Sequence, residues 1–188
     1  MKKLAIFASG SGSNAENLIR FFQNHPEIRI SLVYSNKTDA YVLDRIKPFH
    51  IPGRVMHKNA LVDGSLLEEL NGEGIDMIVL AGFLKLIPAI FIESFKGPII
   101  NLHPSLLPAY GGKGMHGMHV HEAVIAAKEK QSGITIHHVN DQYDQGAIIK
   151  QYTTDVALDE TPVTLASKIH DLEMAYLPEV VEQVAQQL

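Results

Sequence analysis

Leu4-Ala-Ile-Phe-Ala8, followed directly by Ser9-Gly-Ser-Gly-Ser-Asn14, is the stretch of this sequence that decides its fold. An uninterrupted apolar run closed by glycines is typical of a strand that is buried on both faces of a parallel sheet. The following residues, 15–22, carry apolar side chains at helical spacing, namely Leu18, Ile19 and Phe22. The turn is therefore predicted to lead from a buried strand straight into the amino end of a helix.

The glycine-serine turn predicts a binding site for an anion. A helix amino end presents free backbone N–H groups and a partial positive charge, and glycines let a ligand approach the backbone closely. The turn around Gly12 also contains hydrogen-bond donors on the side chains of Ser11, Ser13 and Asn14, which can bind an anion. A monophosphate is favoured, and a tight turn that binds nothing remains the alternative.

The same turn fits the relaxed dinucleotide fingerprint as Gly10-x-Gly12-x-x-Ala15, but the rest of that fingerprint is missing. Dinucleotide-binding folds carry an acidic residue at the end of the second strand, where it binds the ribose. The second predicted strand, 28–34, ends instead in Ser35-Asn-Lys37. No Walker A lysine follows the glycines either, so neither a dinucleotide nor a triphosphate is expected.

Strand and helix patterns continue to alternate along the chain, which predicts the α/β class. The remaining predicted strands cover 54–58, 76–81, 98–102, 134–138 and 147–152. The predicted helices cover 15–22, 40–47, 64–70, 119–127 and 163–185, the last interrupted near Pro178. We expect an open, twisted, mostly parallel sheet with helices on both faces, in a single domain of residues 1–188.

The segment Ile99-Ile-Asn-Leu-His-Pro-Ser-Leu-Leu-Pro108 carries the first candidate catalytic residues. Asn101 and His103 are two positions apart, so in a strand they project from one face. Pro104 ends that strand and leaves both side chains at the carboxyl edge of the sheet, where open α/β folds bind ligands. Histidine can shuttle a proton and an asparagine amide can donate to an oxyanion. A satisfied polar pair without chemistry is the alternative.

Two further loops are predicted to reach this edge. The polar turn 140–146 holds Asp141 and Asp144, which are ordinary turn residues unless the turn folds against Asn101. In that case one of them is expected to orient His103 and to stabilise its charged form. The apolar loop 82–88 either lines a pocket for a flat ring or packs its side chains on the core.

The glycine-rich segment 111–121 is interpreted as a mobile lid beside the catalytic edge, since four glycines fall within 111–117. Its three histidines, His116, His119 and His121, suggest zinc only weakly. There is no cysteine in the chain and no fourth ligand at zinc-site spacing. No metal is expected, and His119 and His121 are assigned to the start of the following helix.

Composition narrows the partners that this protein is expected to have. A net charge of -5 and a pI of about 6.0 argue against nucleic acid, and no segment reaches membrane-spanning length. The absence of cysteine excludes disulfides and thiolate catalysis and is consistent with the cytoplasm. Met1-Lys-Lys precedes an apolar run too short for a signal peptide. We expect a soluble protein, a monomer or weak homodimer, that acts on small molecules.

The chain resembles the phosphoribosylglycinamide formyltransferases, a family of folate-dependent enzymes of purine synthesis. The resemblance runs essentially end to end and is most specific in four segments: 101–108, the turn ending in Ser13-Asn14, Ala81-Gly-Phe83, and Asp141-Gln-Tyr-Asp-Gln-Gly146. It implies a Rossmann-like formyltransferase fold. It also implies transfer of a formyl group from 10-formyltetrahydrofolate, as co-substrate, to the amine of glycinamide ribonucleotide, by direct attack through a tetrahedral intermediate.

The resemblance further implies roles for individual residues. Asn101, His103 and Asp144 would be catalytic. The residues that would hold the ribonucleotide are Gly12, Ser13, Asn14 and Glu173. The residues that would line the pteridine pocket are Leu84, Lys85, Leu86, Ile87, Asn140 and Asp141.

Two features depart from the common family pattern. The segment 111–117 is longer than the usual link, and Lys85 stands where many relatives carry arginine. Rival interpretations are a methionyl-tRNA formyltransferase or a formyltetrahydrofolate hydrolase, which share the catalytic stretch but usually carry an additional domain. A non-catalytic module that binds a phosphoribosyl ligand is a rival of a different class.

Overall fold

The structure, a computed structural model, describes residues 1–188 and contains one seven-stranded sheet. The strands are β1 (Lys2–Phe7), β2 (Ile28–Ser35), β3 (Gly53–Val55), β4 (Met77–Leu80), β5 (Ile99–His103), β6 (Gln131–His138) and β7 (Ile148–Asp155). The helices are α1 (Ser13–Phe22), α2 (Val42–Arg45), α3 (Ser65–Glu73), α4 (Ala89–Ser94), α5 (Met118–Ala126) and α6 (Pro162–Gln186), with a 3₁₀ turn at Lys47–Phe49. No helix combines the length and the apolar character needed to cross a membrane.

The strand order is β3-β2-β1-β4-β5-β6-β7. The pairings from β3 to β5 are parallel, whereas β6 pairs antiparallel with β5 and with β7. The prediction of an open, mostly parallel α/β sheet is confirmed. The predicted third strand is shorter than expected, because β3 is an edge strand that pairs with β2 only over Gly53–Val55.

Strand β1 divides the core into two layers because its side chains alternate between the faces of the sheet. Leu4 and Ile6 pack in a cluster with α1 and α6, whereas Ala5 and Phe7 pack in a second cluster with α3 and α4. All four side chains are fully buried. This explains why β1 is apolar without interruption, as a strand with helices on both faces requires.

Helix α6 continues without a break through Pro178, so the predicted interruption is wrong. A proline inside a helix leaves the carbonyl four residues earlier without its usual N–H partner. That carbonyl belongs to Met174, and it accepts a hydrogen bond of 2.8 Å from Asn17 Nδ2 on α1. A side chain of the neighbouring helix therefore replaces the missing backbone donor.

Replacement of Asn17 by Leu is expected to lower the free energy of unfolding by about 1–3 kcal/mol, because the Met174 carbonyl would be left unpaired. Urea denaturation followed by circular dichroism measures this loss. In the double variant Asn17→Leu with Pro178→Ala, the new backbone N–H can serve Met174, so the cost of Asn17→Leu should shrink. An equal cost in both backgrounds would contradict this account of how α6 tolerates its proline.

Candidate active site

A cavity of about 670 Å³ opens at the carboxyl ends of the central strands. Its walls come from the turn 10–14 after β1, the segment 81–84 after β4, and Asn101–Pro104 at the end of β5. The glycine-rich segment 112–117, Asp144 and one side of α6 close it. The volume is typical of a site for a small ligand, and the position is the one that open α/β sheets use for ligands.

The turn between β1 and α1 has the geometry of an anion site. Gly12 lies in the left-handed region with φ 76°, and a Cβ there would come within 2.4 Å of Val42, so only glycine fits. The backbone N–H groups of Ser13, Asn14 and Ala15 donate to no group of the protein. Free N–H groups at a helix amino end bind anions well.

Arg45 of α2 braces this turn from behind. Its Nε donates to the carbonyl of Ser11 at 2.7 Å, and its guanidinium forms an ion pair with Glu16 at 2.8 Å. The two contacts tie α2 to the turn and to α1, so the free N–H groups are held in position before any ligand arrives.

A buried polar pair joins the turn to α6. Asn14 Nδ2 donates to Glu173 Oε2 at 2.8 Å, and His170 Nδ1 lies 3.5 Å from the same oxygen. Burial raises the pKa of the Glu173 carboxyl, while Asn14 and His170 oppose that rise. Asn14 Oδ1 is buried without a partner. The pair therefore places a carboxyl group next to the candidate anion site.

Asn101, His103 and Asp144 meet in the cavity, as the sequence predicts. His103 Nδ1 lies 3.5 Å from Asp144 Oδ1, and Asn101 Nδ2 lies 3.3 Å from the same oxygen. The other oxygen, Oδ2, accepts from the backbone N–H of Gly112 at 2.9 Å. Asp144 adopts a left-handed conformation with φ 57°, which aspartate tolerates better than most residues.

A family model described as formyl transferase matches residues 2–181 of the chain. The phosphoribosylglycinamide formyltransferase of Bacillus subtilis is 34% identical over 190 residues, which are 98% of this chain and 95% of that protein. The chloroplastic phosphoribosylglycinamide formyltransferase of Arabidopsis thaliana is 36% identical, and the match spans 99% of this chain but 66% of that protein. The chain belongs to the formyl transferase family.

Solved structures of such formyltransferases share the whole fold. The phosphoribosylglycinamide formyltransferase from Anaplasma phagocytophilum superposes with a TM-score of 0.88 at 32% identity, over 98% of this chain and 87% of that one. The corresponding structure from Streptococcus pneumoniae TIGR4 gives 0.84 at 34% identity, over 97% and 98% of the two chains. The predicted family and fold are confirmed.

The residues predicted for the pteridine pocket differ in their exposure and in whether they line the cavity. Leu84 lines the cavity, and Lys85 and Leu86 are exposed beside it. Ile87 is only 1% exposed and packs in the second core cluster, so only its backbone can reach a ligand. Asn140 and Asp141 lie in the turn before Asp144 and do not line the cavity.

The histidines of the glycine-rich segment divide between two environments. His119 and His121 lie at the start of α5, as predicted. The rings of His116 and His119 meet edge to face at 5.8 Å, and both side chains are exposed. His116 lines the cavity from its exposed rim, whereas His121 lines it from the interior and is 5% exposed. No group of three or more histidine, aspartate or glutamate side chains is placed to share a metal ion.

Two contacts in the cavity, made by His137 and by Tyr110, were not predicted from the sequence. His137 on β6 is 2% exposed and lies with Nε2 3.1 Å from Asn101 Nδ2 and 3.8 Å from Asp144 Oδ1. The carbonyl of Tyr110 accepts from His103 Nε2 at 2.8 Å. The alternating pattern of residues 134–138 predicts a strand with His137 on one face. It does not predict that this strand lies beside β5.

The side-chain amide of Asn101 lies between two polar groups of the protein. Its Nδ2 donates to Asp144 Oδ1 at 3.3 Å and lies 3.1 Å from His137 Nε2. The role of Asn101 as an oxyanion donor stays a prediction. The free polar atom of this side chain is Oδ1, which accepts no hydrogen bond within the protein.

Charges in the site are set by burial and by near neighbours. Burial lowers the pKa of His103, and the negative charge of Asp144 and the hydrogen bond to the Tyr110 carbonyl oppose this shift only in part. Burial lowers the pKa of His121 as well, and its proximity to His103 adds to that effect. Burial raises the pKa of Asp144, but the neighbouring histidines and the Gly112 N–H outweigh it and hold the carboxyl below its usual value. A histidine with a lowered pKa therefore lies beside a carboxyl group whose pKa is also lowered.

Replacement of Asp144 by Asn should shift the limb of the kcat/KM profile that reports His103 to lower pH. The neutral amide no longer stabilises the imidazolium, so burial lowers the His103 pKa further. Steady-state kinetics between about pH 5 and pH 9 would measure the shift, with the exposed Asp159→Asn as the matched control. A limb that stays in place or moves to higher pH would contradict the assigned role of Asp144.

Proposed function

We propose that this protein transfers the formyl group of 10-formyltetrahydrofolate to the amine of glycinamide ribonucleotide in purine synthesis, with residues 1–188 acting as one catalytic domain. The observation that carries the proposal is the shared cavity: the free helix amino end and the cluster of Asn101, His103 and Asp144 open into the same space. A phosphorylated substrate held at one end would present its other end to a proton-handling group. Membership of the formyl transferase family supplies the reaction class.

The ribonucleotide is assigned to the α1 side of the cavity. Its phosphate would accept from the free N–H groups after Gly12, where Ser13 and Asn14 also offer side-chain donors. The ribose hydroxyls would lie against Glu173, since a hydroxyl can donate to its carboxylate. Asn14 would hold that carboxylate in place through Nδ2, which donates to Oε2 at 2.8 Å.

The folate is assigned to the opposite side, along the loop after β4 and the turn before Asp144. Leu84 and Leu86 are apolar yet 40% and 37% exposed, so they can cover a flat ring. The N–H of Leu84 is held by Ser9 Oγ at 3.0 Å, which fixes the start of the loop. Lys85, the Ile87 backbone, Asn140 and Asp141 complete the proposed pteridine site.

The proposed mechanism is direct transfer. The amine lone pair attacks the formyl carbon, the carbonyl electrons move to oxygen, and a tetrahedral intermediate forms. His103 takes the proton of the attacking nitrogen and returns it to the folate nitrogen as the carbon–nitrogen bond of the donor breaks. Asp144 stabilises the imidazolium between these steps, and that positive charge lies close to the oxyanion.

The contact between His103 and Tyr110 sets a condition on this mechanism. Both ring nitrogens of His103 face protein groups, with Nε2 donating to the Tyr110 carbonyl and Nδ1 facing Asp144. Proton exchange with a ligand requires one nitrogen to leave its partner. Tyr110 adjoins the glycine-rich segment, so movement of that segment would free Nε2.

We further propose that the enzyme acts as a monomer or weak homodimer.

The purified protein should form formylglycinamide ribonucleotide from the two substrates, and His103→Ala should lower kcat by roughly 10²–10⁴-fold with little change in KM. The exposed His57→Ala is the matched control. Near-normal turnover in His103→Ala would overturn the mechanism. Binding of the ribonucleotide without any turnover would support a non-catalytic module, and release of formate without the ribonucleotide would support a hydrolase.

Ser13→Pro should weaken ribonucleotide binding and leave folate binding almost unchanged. Proline removes one phosphate-facing N–H but is tolerated in the first turn of a helix. Ser13→Ala retains the N–H and should lose less affinity. Titration calorimetry with each ligand separates the effects, and unchanged ribonucleotide affinity in a folded Ser13→Pro variant would place the phosphate elsewhere.

A further inference from the structure

The walls of the candidate active-site cavity carry an unequal set of charges. The carboxyl groups of Asp144 and Glu173 line it, and Lys113 is the only lysine or arginine among its lining residues. Both proposed substrates are anions, since the ribonucleotide carries a phosphate and the folate carries the carboxylates of its glutamate. An anion beside an ionised carboxylate is repelled unless a positive charge compensates it. Lys113 is the one lysine that the walls offer for this purpose.

Arg45, the cation that braces the turn 10–14, is already committed to other groups. Its Nε donates to the Ser11 carbonyl at 2.7 Å, and its Nη1 forms an ion pair with Glu16 at 2.8 Å. Arg45 does not line the cavity. The free N–H groups of the turn supply only a partial positive charge, so they leave part of the charge of a phosphate uncompensated.

Lys113 lies at the tip of a turn that the glycines around it make possible. The N–H of Met115 donates to the Gly112 carbonyl at 3.0 Å, which closes a four-residue turn with Lys113 and Gly114 at its centre. Gly114 has a φ of 89°, as the third position of a type II turn requires, and glycine adopts that angle without strain. The sequence Gly-Lys-Gly therefore specifies a turn with a lysine at its tip.

This turn is attached to the cavity at both ends. The N–H of Gly112 donates to Asp144 Oδ2 at 2.9 Å, and the half-buried Met115 lines the cavity. Between them Lys113 is exposed, and the ion pairs of the protein are made by other lysines and arginines. A lysine that is held at the cavity without a partner is available to a ligand.

We propose that Lys113 is a substrate-binding residue whose ammonium group pairs with an anionic group of a ligand in the cavity, either the phosphate of the ribonucleotide or a carboxylate of the folate. The proposal rests on the function proposed above and deepens it. The segment 111–117 is longer than the usual link of the family, so this lysine lies outside the four segments that carry the resemblance. Hydrogen bonds between an ammonium group and a phosphate or carboxylate are short and strong, and lysine supplies its charge on a flexible stem.

The first experiment measures the binding of each ligand alone by titration calorimetry, which requires no turnover. Glycinamide ribonucleotide is compared with glycinamide riboside, which lacks the phosphate. Tetrahydrofolate is compared with its diamide, in which both carboxylates of the glutamate are amides. We expect Lys113→Gln to weaken the binding of at least one intact ligand roughly tenfold and to leave that of its uncharged form unchanged, because the charged hydrogen bond exists only where the anion is present. The ligand that shows the loss identifies the partner of Lys113.

Two further variants and a salt series make the loss specific to the charge. Lys113→Arg keeps the positive charge and should retain most of the affinity. Lys58→Gln removes the same charge from an exposed lysine outside the cavity and should bind both ligands as the unmodified protein does. The loss in Lys113→Gln should shrink as the salt concentration rises from about 0.05 M to about 0.5 M, since salt screens exposed charges. A loss that does not change with salt would overturn the proposal.

The outcomes separate this proposal from the one on which it rests. Unchanged affinity of folded Lys113→Gln for both intact ligands would overturn the role of Lys113 alone, and so would equal losses for an intact ligand and its uncharged form. Absence of formyl transfer by the unmodified protein would overturn the proposed function, whereas the binding comparison does not depend on turnover. Failure of the unmodified protein to bind either ligand would overturn both. Thermal unfolding of each variant establishes that it is folded before affinities are compared.

Discussion

The antiparallel pairing of β6 with β5 is the interaction on which the candidate active site depends. In the observed register, Asn101 lies opposite His137, Leu102 opposite Ile136, and His103 opposite Thr135. Because side chains alternate along a strand, a slip of one residue would turn His137 to the other face of the sheet. The buried neighbours Ile134 and Ile136 oppose such a slip, since they would then lose their place in the core. Core packing and site geometry are therefore fixed by one register.

The sequence predicted those features of the site that depend on local pattern. The apolar run at Leu4 and the glycines after it specified a buried strand and a helix amino end, and the spacing of Asn101 and His103 placed both side chains on one face. Features that depend on distant pairing could not be read in the same way. His137 becomes a neighbour of Asn101 only through a pairing 36 residues away, and periodicity carries no information about register.

The same distinction explains the errors. A proline in a helical pattern predicts a break because its missing N–H is a local fact, but the donor that replaces it, Asn17, comes from another helix. The polar neighbours of Asn101, namely Asp144 and His137, likewise come from distant segments that the local pattern does not bring together. Residue type limits what a side chain can do, and neighbours determine which of those possibilities is used.

The bond between Asn17 and Met174 has a consequence for how this protein can vary. It joins α1, whose amino end carries the proposed anion site, to the part of α6 that carries Glu173, so the two halves of the proposed ribonucleotide site are fixed relative to one another. Asn17 supplies the hydrogen-bond donor that Pro178 withholds from the Met174 carbonyl. A lineage that loses the proline regains a backbone donor and is free to lose the asparagine, whereas loss of the asparagine alone leaves the carbonyl unpaired. The two positions are therefore expected to covary among homologous sequences.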